Sequence, residues 1–158
     1  MKHRIRAAVL IVKGNSILLV QHVHPETGEE WWVPPGGGVE AEDESVFSCG
    51  SREVFEETGL QVDLTDIVYI REFLDCENQN RNLELFLSSR AFSGELTIRH
   101  VQGSGPDEDY IRDVRWVPKA ELDTMVVYPE ILKDGFWEDL ANGFPKTKYL
   151  GTQIGRAS

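Results

Sequence analysis

Cysteine is scarce. Cys49 and Cys76 are the only two in 158 residues and have no CxxC spacing, so the sequence offers neither a disulfide framework nor a cysteine-rich zinc site. Both read as free thiols of a cytoplasmic protein, with Cys49 a structural thiol rather than a nucleophile. Basic residues are the minority charge, 16 Lys and Arg against 27 Asp and Glu, for a formal net charge of −11. That balance disfavours a nucleic-acid backbone as partner, which calls for a basic surface. A small phosphorylated molecule stays available if divalent cations offset the acidic charge. No apolar run is long enough to span a membrane: Ala7–Val12 is closed by Lys13-Gly14 and lacks a signal-peptide cleavage pattern. Internal repeats and low-complexity tracts are also missing.

What is present is enough apolar residue, 41% of the chain, for one substantial core. A single domain over residues 1–145 is expected, followed by a weakly patterned tail, 146–158, that is flexible or lies at a homodimer contact. Arg4–Lys13 and Ser16–His22 read as a hairpin around Gly14-Asn15. His22 and His24 read as solvated loop histidines, and Trp31-Trp32-Val33 as a short strand leading into Pro34-Pro35 and a turn of three glycines. Ile67–Phe73 and Arg81–Phe92 are expected as antiparallel strands flanking the polar loop Asp75–Asn80. Short strands are expected at Leu96–His100 and Asp113–Pro118, a short helix at Lys119–Asp123 and a longer one at Pro129–Ala141. In that last helix Leu132, Phe136 and Leu140 form the buried stripe, with Trp137 beside it.

Between the glycines and the strands lies Gly38–Leu60, GVEAEDESVFSCGSREVFEETGL. A helix from Asp43 or Glu44 to Thr58 is expected, with an acidic first turn that suits the helix dipole and Gly59 as its left-handed stop. Val46, Phe47, Gly50 and Val54 define its inward face. Glu53, Glu56 and Glu57, at i, i+3 and i+4, fall within an arc of about 100°. One helical edge is therefore densely acidic at the rim of a buried surface. Like charges at this spacing cost only about 0.2–0.5 kcal/mol on an exposed helix, so the three glutamates alone do not demand a cation.

The spacing of Gly38, Glu44, Arg52-Glu53-Val54, Glu56-Glu57 and Gly59-Leu60 resembles the signature of the Nudix hydrolases at every fixed position. The resemblance implies a MutT-like α/β/α sandwich with a mixed central sheet, the loop-helix unit carrying the site. It also implies a hydrolase in which water attacks a diphosphate bond in a nucleoside diphosphate linked to another group X. Hard oxygen donors suit Mg²⁺, or Mn²⁺, better than zinc. Glu53 and Glu57 are the expected principal metal ligands, with Glu56 a third ligand or the general base. The Gly37 carbonyl and Glu108, ahead of Asp109, are the further ligand candidates. Arg52 is expected to orient a glutamate, Glu44 to act through water, and Gly38 with Trp31 or Trp32 to meet substrate, one Trp stacking on a base and the other packing in the core. Nucleoside triphosphates, nucleotide sugars and dinucleoside polyphosphates remain open as substrates. Two alternatives stand beside the enzyme: a nucleotide-sensing domain without turnover, and a pyrophosphohydrolase of RNA 5′ ends.

Overall fold

The computed structural model describes residues 1–98 and 111–155. Two sheets carry the architecture. The five-stranded one runs β5-β1-β7-β6-β9, built from β1 (Lys2–Leu10), β5 (Gly36–Gly38), β6 (Leu60–Asp75), β7 (Asn80–Gly94) and β9 (Lys148–Gly155). It is mixed, because β1 pairs parallel with β7 and β6 parallel with β9, while β1–β5 and β6–β7 are antiparallel. The second sheet sets β3 (Ser16–Val23) between β4 (Glu30–Val33) and β8 (Ile111–Pro118), with β2 (Val12–Lys13) beside the start of β3.

The expected hairpin is divided between these sheets. β2 and β3 form it, but β1 leaves at Ile11, which is fully buried, and joins the other sheet instead. β1 alternates accordingly. Ala7 and Val9 pack with Cys49 and Val54 of helix α1 (Val46–Thr58), whereas Ala8 and Leu10 turn to the second core with Trp32, Tyr69 and Phe86. Period-two alternation thus lets one strand serve two cores.

Elsewhere the elements differ in extent from the sequence expectation. Strand β6 runs unbroken from Leu60, the register shifting at Asp63–Tyr69. Leu96–Ile98 is not a strand. Lys119–Thr124 is a 3-10 helix, and the expected long helix splits into a 3-10 turn, Glu130–Lys133, and α2 (Gly135–Ala141). The Asp134 side chain accepts the Gly135 N–H at that break. Leu132 and Phe136 are fully buried as the stripe requires. Trp137 packs edge-on against Phe136 and donates from Nε1 to the Leu132 carbonyl at 2.9 Å. Within the weakly patterned segment, Lys148–Gly155 forms β9, anchored where Lys148 Nζ meets Asp139 at 2.6 Å and Tyr69 donates to the same carboxylate at 2.6 Å. Among the described residues no helix is long and apolar enough to cross a membrane.

Candidate active site

Helix α1 starts later than the acidic run suggests. Ser45, extended at φ −159°, is the N-cap: its hydroxyl accepts the Ser48 N–H and the Ser48 hydroxyl accepts the Ser45 N–H, a reciprocal cap. The first turn therefore contains no acidic residue. Glu44 is exposed ahead of the helix. Asp43 folds back, accepting the Glu40 N–H at 2.8 Å, and serves Arg52 rather than the helix dipole. At the other end Gly59 adopts φ +78° and closes onto the Phe55 carbonyl, as expected.

Packing the inward face of α1 on the sheet takes two of the three glutamates with it. Glu53 is 8% exposed and Glu57 3%, whereas Glu56 is only partly covered at the rim. Buried carboxylates require partners. Glu57 accepts the Gly36 N–H at 3.1 Å, and Glu53 accepts Arg52 Nη1 at 3.0 Å. The three glycines are a strand, not a turn. Gly36, Gly37 and Gly38 pair with Ala8, Ala7 and Arg6 of β1. They are glycine for reasons of space: a Cβ on Gly37 would lie 2.4 Å from the Glu53 carboxyl carbon, and one on Gly36 would lie 2.4 Å from the Ala7 carbonyl oxygen. Backbone thus approaches the carboxylates directly.

Arg52 ties the parts together. Its Nε and Nη2 form a fork on Asp43 at 3.0 and 2.9 Å, Nη2 also reaches the Gly38 carbonyl at 3.3 Å, and Nη1 is shared between Glu53 and, at 3.3 Å, Glu56. The Arg52 hydrogen bonds hold the Asp43 carboxyl at about 2, and Asp43 in turn raises the guanidinium above its ordinary value. Asp43 lies outside the fixed positions of the signature, and sequence reasoning assigned it only to the helix start. Its spacing, nine residues before Arg52, carries no periodic signal.

Cys49 is fully buried, its thiol donating toward the Gly37 carbonyl at 3.7 Å, and burial pushes it up to about 12. A thiol so held is not a nucleophile at neutral pH. Trp32 belongs to the second core, 9% exposed beneath the Arg115 guanidinium. Trp31, on the opposite face of β4, stacks on His22 with ring centroids 5.5 Å apart. The two histidines are not solvated loop residues. His22 lies in β3, and His24, 8% exposed, bonds Glu77 at 3.0 Å and accepts the Glu26 and Thr27 N–H groups at Nδ1. Glu108 and its neighbours Asp107 and Asp109 lie outside the described residues.

Among the described residues no three Asp, Glu, His or Cys side chains already converge as a metal-binding group. The donor set along the glycine strand is nonetheless all oxygen: the buried Glu53 carboxylate stands where a Gly37 side chain would be, and the buried Glu57 carboxylate meets the Gly36 N–H. Such a set suits a hard divalent cation. A loop-helix unit bearing buried carboxylates against a glycine strand of a mixed sheet is what fold and site define.

The NUDIX domain model matches residues 1–134. The chain belongs to that family. Solved structures similar to it include the E. coli ORF135 protein, with a TM-score of 0.67 and 21% identity over 90% of this chain and 94% of that one. A MutT NUDIX hydrolase from Burkholderia pseudomallei gives 0.67 and 23% over 85% and 98%. An ADP-ribose pyrophosphatase from Streptococcus suis gives 0.55 and 20% over 96% and 98%. At these identities the likeness is one of fold. In sequence, "Putative hydrolase 111R" of Invertebrate iridescent virus 3 is 41% identical over 70 residues, 44% of this chain and 38% of that protein. The match thus spans well under half the length of that curated relative.

Proposed function

We propose that this chain is a divalent-metal-dependent pyrophosphohydrolase, cleaving the diphosphate of a nucleoside diphosphate linked to a further group by attack of water on phosphorus. The observation that carries this reading is the burial of Glu53 and Glu57 on one helix edge against the side-chain-free strand Gly36–Gly38. Glu53, Glu57 and the Gly37 carbonyl would hold Mg²⁺ or Mn²⁺, which when bound neutralises diphosphate charge and lowers the pKa of water. Glu56, at the partly exposed rim, would take the proton from the attacking water or serve as a third ligand. Arg52 fixes the Glu53 and Glu56 carboxylates while Asp43 fixes Arg52. Glu108, ahead of β8 in sequence, is the further ligand candidate, and Glu44 acts through water. Trp31, partly exposed on β4, is the platform for a base. Two unpaired cysteines support a cytoplasmic location, and a homodimer would use the exposed Tyr149 and Ile154 of β9.

The test is a panel of nucleoside triphosphates, nucleotide sugars and dinucleoside polyphosphates with Mg²⁺ or Mn²⁺, scored by phosphate and pyrophosphate release. Turnover abolished by a chelator and restored by the ion is the expected result. Tight nucleotide binding with no turnover of any member would instead make the chain a sensor.

A further inference from the structure

The sheet face opposite α1 carries a second polar array, and the β-sheet registers define it. Gly38 pairs with Arg6, Arg6 with Glu84 and Glu84 with Arg71, crossing four strands in one row. The adjacent row sets Arg4 beside Asn82 and Asn82 beside Phe73. Paired residues share a face, and the contacts agree: Glu84 lies 2.7 Å from Arg71 and 4.0 Å from Arg6. In a chain of net charge −11, these two rows hold three arginines and one carboxylate. Arg71 is committed to Glu84, to Gln153 and to the Phe73 and Tyr128 rings. Arg4 has no acidic partner among the described residues, and its Nη2 occupies the space where Gly38 would bear a side chain, 2.6 Å from that position.

Asn82 adds an independent sign. It is 4% exposed, its amide nitrogen reaches the Phe73 carbonyl at 3.5 Å, and its oxygen is buried with no hydrogen-bond partner among the described residues. Buried acceptors without partners are uncommon and costly. Arg71 also lines a cavity of about 540 Å³ with Pro129, Glu130, Ile131 and Gln153.

We infer that this face is a subsite for a phosphate lying outside the hydrolysed diphosphate. Arg4 and Arg6 supply its positive charge, and Asn82 Oδ1 accepts a hydrogen bond from the hydroxyl or amine of the group that carries it. Gly38 makes the connection. One residue away, Gly37 faces Glu53, so anionic groups on the two sides of β5 are separated by a strand with no side chains. The substrate class this selects is a nucleotide with more than two phosphates, over a nucleotide sugar. The inference rests on the reaction edge proposed for Gly37 and Glu53.

Two measurements test it on the full chain, with thermal melting to verify folding. In the first, Arg4→Gln is compared with wild type on a nucleoside triphosphate and on a nucleoside diphosphate sugar. KM for the triphosphate should rise at least about tenfold, the scale of one charged hydrogen bond. Its kcat should stay within about threefold, KM for the sugar nucleotide should be unchanged, and Arg4→Lys should recover part of the loss. No change, or an equal change in both KM values, overturns the subsite. In the second, inorganic tripolyphosphate is titrated calorimetrically, which needs no turnover. Binding weakened at least about tenfold by Arg4→Gln supports the subsite even if wild type hydrolyses nothing and the enzymatic reading fails. Binding that is absent in wild type, or undiminished in the variant, overturns it. Arg6→Gln takes the place of Arg4→Gln in both if the latter does not fold.

Discussion

Gly37 and Glu53 occupy one space: a Cβ on the glycine would sit 2.4–2.6 Å from the three atoms of the glutamate's carboxyl group. The neighbouring glycine is constrained differently, since a Cβ on Gly36 would meet the Ala7 carbonyl and the Ala8 backbone. Gly37→Ala should therefore fold, because a side-chain terminus can yield, but it should displace Glu53 and lower turnover by at least about tenfold through misplacement. Gly36→Ala should cost stability, on the order of 1–3 kcal/mol as for overpacking. Thermal melts and initial rates on both variants decide it; two variants alike in both properties would contradict the distinction.

Glu57→Gln keeps an oxygen to accept the Gly36 N–H, removes the charge and turns the second oxygen into an N–H donor. Turnover should fall by at least about 100-fold, on the scale of losing a charge-stabilising catalytic group, with the melting midpoint near that of wild type. Activity like wild type in the folded variant would remove Glu57 from the metal ligands.

Asp43 decides how the Arg52 charge is divided. With its carboxylate gone, the fork on Nε and Nη2 is released and the guanidinium can turn fully onto Glu53 and Glu56. Asp43→Asn should raise the Mg²⁺ concentration for half-maximal activity by roughly tenfold, as when a residue behind a metal ligand is lost. A pH signature accompanies it. The folded carboxyl is depressed to about 2 from its ordinary 3.8, so the stability it contributes is present above the higher value and is lost as pH falls through the lower. Melting midpoints from pH 5 to pH 2 should fall more steeply for wild type than for Asp43→Asn; parallel curves would count against the pair.

Cys49→Ala should keep turnover within about threefold of wild type, since a fully buried thiol held up to about 12 by burial supplies no thiolate. The small cavity should lower stability by about 1 kcal/mol. Inactivation of a stable variant would reopen covalent catalysis.

The acidic helix edge is legible in sequence because 3.6-residue periodicity and a fixed-spacing signature both report on it. Its start is less so: Asp43 and Glu44 look like first-turn acids, yet the Ser45–Ser48 cap competes successfully and frees Asp43 for a residue nine positions on. The glycines read as a turn by composition, and only the crowding of Glu53 and Ala7 around them explains a strand. Trp31 and Trp32 cannot be told apart from sequence, since adjacent strand residues go to opposite faces and nothing local says which face meets Arg115. The two sheets are likewise invisible to periodicity, because strand alternation is the same whichever neighbour a strand pairs with. The division of β1 from β3 is decided by partners far along the chain.

Those distant partners bear on how the protein comes to exist. In β1, Lys2 lies opposite Asn80 and Leu10 opposite Ser88, a parallel pairing that closes a very long loop. Chain-entropy cost makes such contacts late and slow. During synthesis β1 can meet β5 and α1 early, but its other edge must wait unpaired until β7 has followed. Nascent molecules stalled before Ser88 would be the species most prone to aggregate and most dependent on chaperones.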